Sequence, residues 1–140
     1  LNSQFLQLQA MQSAALVGRD VAIEGDTLRV RDGTGDGGFE LGSAAADVKV
    51  EILNSAGTTI GTVELEDMAA GRHDFSYAVP DAYKDKPLTF KVTATNGSTD
   101  VETMSLQHQR IQAVSAFGDT LAFELANGDR VAYNAVWAFL

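Results

Sequence analysis

Two segments at opposite ends of this chain constrain its fold more than any other feature. Near the start, a run of helix formers closes on Leu16-Val17-Gly18-Arg19-Asp20-Val21, and from Arg19 onward apolar residues recur with period two. Near the end, Leu121-Ala-Phe123-Glu-Leu125 and Val131-Ala-Tyr133 flank Asn127-Gly128, the dipeptide that most strongly predicts a tight hairpin with a type I′ turn. The two read as pieces of one small β-barrel. Everything between Gly42 and Gln107 reads as a different domain.

The barrel pieces are 18–42 and 107–140. In the first, Val21 and Ile23 alternate with polar residues, Gly25-Asp26 turns, and Leu28 and Val30 resume the alternation. Asp32-Gly-Thr-Gly-Asp-Gly-Gly38 is a loop by composition, and Phe39 and Leu41 give a short third strand. In the second, Ile111–Phe117, Thr120–Ala126 and Arg130–Ala135 predict three more strands. Short strands that bend at glycines predict a barrel of the Tudor or SH3 kind.

The middle, residues 43–106 with a compact part over 47–106, has a different composition. All four lysines (Lys49, Lys84, Lys86, Lys91) and both prolines (Pro80, Pro87) fall within it, whereas the ends use only Arg19, Arg29, Arg31, Arg110 and Arg130. Val48, Val50 and Ile52 alternate before an Asn54–Gly57 turn. Strands are predicted over Thr58–Leu65, His73–Val79, Leu88–Ala94 and Thr99–Leu106, with Asn96-Gly97 turning between the last two. That spacing predicts an inserted β-sandwich of the fibronectin-III or immunoglobulin kind. Each of the two modules has roughly 60 residues, a size at which only about 60% of the unfolded surface is buried and stability is marginal.

Residues 1–17 predict a helix about 24 Å long. Leu1, Leu8 and Ala15 recur every seven residues, Phe5 and Met11 flank the same stripe, and Gly18 stands where a C-terminal glycine belongs. The segment carries no charge before Arg19. Solvated helices show charged pairs on the outer face, so this one is expected either to pack against a partner or continue a longer element upstream, with Leu1, Phe5, Leu8 and Met11 as self-association residues, or to be a frayed tail.

A net charge of −9 gives no basic footprint, which argues against nucleic acid and anionic lipid as partners. No segment approaches the ~20 apolar residues of a membrane helix, so no membrane insertion is expected. With no cysteine, disulfides and thiolate metal sites are excluded. The start has neither a basic n-region nor an apolar h-region, and an export signal is expected upstream of Leu1.

Three constellations could carry chemistry. Asp32, Asp36 and Gly37 resemble the front of a calcium loop, but Thr34 and Ser43 stand where ligands are required, so no metal is expected. His73-Asp74 and His108 are the only imidazoles, and no nucleophile elbow, zincin or phosphate-loop motif accompanies them. They are expected to be packing or surface residues, with no catalytic role and no cofactor. Phe117, Phe123, Tyr133, Trp137 and Phe139 could form an aromatic cage for a methylated cation. Strand parity instead puts Phe123 with Leu121 and Leu125, and Tyr133 with Val131, in a core, leaving Trp137 to pin the chain end.

The order of these pieces resembles the flagellar hook-capping family, also known as hook assembly scaffold or basal-body rod modification proteins. The likeness is carried by Leu16-Val17-Gly18-Arg19-x-Val21, by Val48–Ile52 and Gly57, by Ala70-Gly71-x3-Phe75-x-Tyr77, and by Phe123-x-Leu125-x-Asn127-Gly128. Tyr77-Ala78-Val79-Pro80 departs from the family, which often continues with Asp-Gly. The resemblance implies a non-enzymatic cap, exported to the distal tip of the growing hook. Hook protein and further copies of the chain would be its partners. The other reading of the residues is an extracellular adhesion or carbohydrate-binding β-module.

Overall fold

The computed structural model describes residues 14–118 and 120–140. The helix expected over 1–17, with Leu1, Phe5, Leu8 and Met11, lies outside the described residues except for its last turn, where Ala14 is helical and residues 15–18 form a turn. The rest is mainly β, in two sheets. Its strands are β1 (Asp20–Glu24), β2 (Arg29–Arg31), β3 (Thr34–Leu41), β4 (Ala45–Leu53), β5 (Thr59–Met68), β6 (Gly71–Ala78), β7 (Thr89–Asn96), β8 (Thr99–Val101), β9 (Thr103–Phe117), β10 (Thr120–Leu125), β11 (Arg130–Ala132) and β12 (Val136–Phe139).

The chain divides into two compact units, Glu24–His108 and Leu1–Ile23 with Gln109–Leu140. This boundary differs from the one the sequence predicts in the placement of residues 24–42, expected in the end module. They belong to the middle unit because β3 pairs along its whole length with β6, from Thr34↔Ala78 to Leu41↔Gly71, and because Thr27 bridges Thr89.

The middle unit has two layers. One is the antiparallel order β5-β4-β7-β8, and the other centres on β3, flanked by β6 on one side and by β2 and the start of β9 on the other. Alternation dictates the first layer: Val48, Val50 and Ile52 of β4 and Phe90, Val92 and Ala94 of β7 are buried, while Lys49 and Lys91 are exposed. Leu28, Phe39, Leu41 and Phe75 complete the same core from the second layer. The β4–β5 turn closes as its composition predicts. Asn54 Oδ1 accepts hydrogen bonds from the amides of Ala56 and Thr58, at 3.0 and 2.9 Å.

The glycine-rich stretch 34–38, expected as a loop, is strand instead. Only Asp32-Gly33 turns, with φ of 52° and 78°, the double positive φ that a type I′ hairpin needs. Beyond it, the missing side chains make room for others. A Cβ at Gly35 would lie 2.5 Å from Leu28 Cδ2, and one at Gly37 would lie 3.0 Å from Phe75 and 3.1 Å from Phe90.

The unit built from the chain ends has the strand order β11-β10-β9-β1-β12. Val21, Ile23, Ile111, Phe123 and Leu125 form its core. Among the described residues no ladder joins β11 to β12, so the expected barrel is not closed by hydrogen bonds. The reason is local: strand β11 stops at Ala132 and Tyr133–Ala135 winds a 3-10 turn before β12. The Asn127-Gly128 hairpin is one residue longer than a type I′ turn. Gly128 N–H donates to Leu125 O and Leu125 N–H donates to Asp129 O, enclosing Ala126–Gly128, and only Gly128 has positive φ. Asn127 contributes instead through its Oδ1, which accepts from Asp129 N–H at 3.0 Å.

Candidate interaction surfaces

A polar network lies within the layer formed by β2, β3, β6 and β9. His108 is only 4% exposed, and its Nδ1 is 2.7 Å from Asp36 Oδ2. A carboxylate can only accept, so Nδ1 carries the proton. Arg29 grips the same carboxylate with both arms, Nη2 to Oδ2 at 2.8 Å and Nε to Oδ1 at 3.3 Å. On the other side of the ring, His108 Nε2 lies 3.4 Å from Asp74 Oδ1, which in turn accepts from Arg72 Nη1 at 3.0 Å. Nε2 is buried and makes no hydrogen bond to that Asp74 oxygen.

Burial would raise the pKa of Asp36. The hydrogen bonds from His108 and Arg29, together with the Arg29 charge, outweigh it and hold the carboxyl at about 2, below the ordinary 3.8. A depressed carboxylate stabilises the fold above its unfolded pKa, and that stability is lost as pH falls through the folded value. The middle unit is therefore expected to weaken between about pH 4 and pH 2. In acid titrations followed by circular dichroism, Asp36→Asn should flatten that limb, taking up one proton fewer on unfolding. An unchanged slope would contradict the assignment.

Gly38 lets this network assemble. A Cβ there would lie 2.8 Å from the carbonyl oxygen of His73, 3.0 Å from Asp74 Oδ1 and 3.3 Å from His108 Nε2. Since one of those atoms is backbone, Gly38→Ala is expected to cost about 1–3 kcal/mol by overcrowding, measurable as a lower urea midpoint.

The sequence-predicted candidates are dispersed. Asp32 sits in a hairpin turn while Asp36 is engaged by Arg29 and His108, so they do not share a loop. Among the described residues no cluster of three metal-ligating side chains exists. His73 packs its ring 5.6 Å from Phe39, with Nε2 at 2.7 Å from Ala69 O. Sequence reasoning missed the network because Asp36 and His108 are 72 residues apart.

The aromatic residues of the end unit divide. Phe123 is fully buried, in agreement with its parity, but Tyr133 is 45% exposed. Parity fails at Tyr133 because the strand has already ended in the 3-10 turn. Tyr133 and Phe139, 37% exposed, each lie within 6.0 Å of Phe123 or of one another, ring to ring. Trp137, 48% exposed, falls where β12 bulges against β1. The unit thus presents an aromatic surface.

Comparison with known proteins adds the following. The family profile described as the FlgD Ig-like domain matches residues 25–98. Basal-body rod modification protein FlgD of Escherichia coli K12 is 30% identical over 109 residues, which are 72% of this chain and 44% of that protein. The FlgD of Salmonella typhimurium LT2 is 26% identical over 131 residues, 82% of this chain and 55% of that protein. The chain therefore spans about half the length of the curated relatives it matches. The fold is similar to that of two crystal structures. FlgD from Xanthomonas campestris, a protein studied for hook capping essential to flagellar assembly, superposes with a TM-score of 0.73 at 20% identity over 94% of this chain and 99% of that one. FlgD from P. aeruginosa gives 0.65 at 21% identity over 86% and 96%.

Proposed function

Because the chain belongs to the FlgD family, we propose that it is a non-enzymatic scaffold of bacterial flagellar hook assembly, capping the growing hook while hook-protein subunits polymerise beneath it. The observation that carries this reading is the match over residues 25–98, which falls on the two-layer unit and so ties a folded module to the family. The two layers support a fibronectin-III-like or Ig-like sandwich. The five-strand order of the other unit, with a 3-10 turn before its last strand, supports a Tudor-like or SH3-like half-open barrel made from both chain ends. In this reading the protein is exported, acts at the distal tip of the hook, and needs no cofactor. It binds hook protein and further copies of itself, with the uncharged stripe Leu1, Phe5, Leu8 and Met11 as the self-association face.

The exposed rings of Tyr133, Trp137 and Phe139 favour a second reading, an adhesion or carbohydrate-binding module, since sugars stack on such rings. Pull-down with purified hook protein, run beside a glycan array, separates the two. Retention of hook protein with a blank array is the expected result. Sugar binding without retention of hook protein would overturn the cap reading.

A further inference from the structure

Strand β5 is an edge. Among the described residues it pairs with β4 alone, over ten residues from Thr59 to Met68. Along an antiparallel edge, alternate residues turn both N–H and C=O away from the sheet. Proteins usually blunt such an edge by shortening it, by a bulge, or by placing charges, Lys above all, or Pro on it. Here the strand is long and has no Lys or Pro; what guards it are the carboxylates Glu64, Glu66 and Asp67, a register irregularity opposite Ile52 and Leu53, and Asp67 at a φ of 52°.

Its side chains divide by parity. Val63 and Leu65, opposite Val50 and Val48, pack against the core, which puts Thr62, Glu64 and Glu66 on the outer face. Opposite Glu66 stands Asp47, so like charges face each other across the ladder, an arrangement that destabilises a sheet on its own. Opposite Glu64 stands Lys49, but its Nζ lies 3.7 Å from Glu51. Among the described residues no cation pairs with Asp47, Glu64, Glu66 or Asp67. The same face is concave: Asp47, Lys49, Glu64, Glu66, Thr93 and Thr95 line a groove of ≈ 380 Å³.

An open edge and uncompensated carboxylates at alternate positions along it describe half of a strand-addition site; the groove runs inboard from β5 over β4 and β7. The charges also choose the occupant. A second copy would bring the same acidic edge and be repelled. We propose that β5 binds an extended, basic segment of another protein, whose backbone continues the sheet and whose alternate Lys or Arg side chains lie against Glu64, Glu66 and Asp47. The inference stands on this edge and does not depend on the hook-cap reading.

The probe is an eight-residue peptide alternating lysine and threonine, titrated into the isotope-labelled chain and followed by amide NMR shifts. The expected result is a set of shifts centred on alternate β5 amides, absent for a glutamate–threonine peptide. Affinity should fall at least tenfold in Glu64→Lys/Glu66→Lys and at least tenfold when alternate peptide amides are N-methylated, which keeps the charge and removes the ladder. Equal binding of the N-methylated peptide would show charge attraction alone and overturn strand addition, even if the double variant failed to fold. Absence of binding at millimolar peptide would mean that the carboxylates only guard the edge. Hook protein retained in the pull-down alongside that result would sink this inference and leave the cap reading standing.

Discussion

Replacing Phe123 by alanine is expected to destabilise the unit built from the chain ends by roughly 3–5 kcal/mol. Phe123 is fully buried and is the largest member of a core of five buried residues, with Val21, Ile23, Ile111 and Leu125. It is also the ring on which Tyr133 and Phe139 rest, at 5.8 and 5.9 Å between centroids. Its loss would leave a void and undermine the aromatic surface together. So small a core has few other contacts to absorb the loss, and a domain's whole stability is only about 5–15 kcal/mol. The chain's single tryptophan, Trp137, belongs to this unit, so its fluorescence in urea reports on the unit directly. A midpoint equal to that of the wild type would contradict the burial of Phe123.

The second large effect is expected at Phe90→Ala, again about 3–5 kcal/mol. Phe90 is 2% exposed and meets Phe75 edge-on at 4.9 Å, an arrangement worth about 0.5–1.5 kcal/mol beyond area alone. Gly37 lies beneath both rings and has no side chain to refill the space. Gly37→Ala should therefore be costly in the wild type and less costly in the Phe90→Ala background. Chemical denaturation by circular dichroism measures this coupling as a double-mutant cycle. Additive costs would mean that the two positions do not share one cavity.

The strands whose apolar residues alternate were legible in the sequence. Val48, Val50 and Ile52 and then Phe90, Val92 and Ala94 mark one face of a sheet without any knowledge of partners. The glycine-rich β3 was not legible, because its burial is supplied by Leu28, Phe75, Phe90 and His108 reaching over it from elsewhere. With β3 misread as a loop, residues 24–42 lost the pairing with β6 that places them in the middle unit. Tyr133 shows the limit of parity, which holds only while a strand continues. The network of Arg29, Asp36, Asp74 and His108 was illegible for a related reason. Each residue stands on a different strand, so only the assembled layer brings them together. The resemblance to the hook-capping family was carried by short motifs spread over most of the chain, none of them a catalytic signature. Accordingly it pointed to the family without pointing to a site.

The claim that this chain serves hook assembly is tested most directly by deleting its gene in the source bacterium and examining purified basal bodies by electron microscopy. The account predicts complete rods that carry no hooks, with hooks restored when the gene is returned. Hooks of normal length on the deletion strain would contradict it.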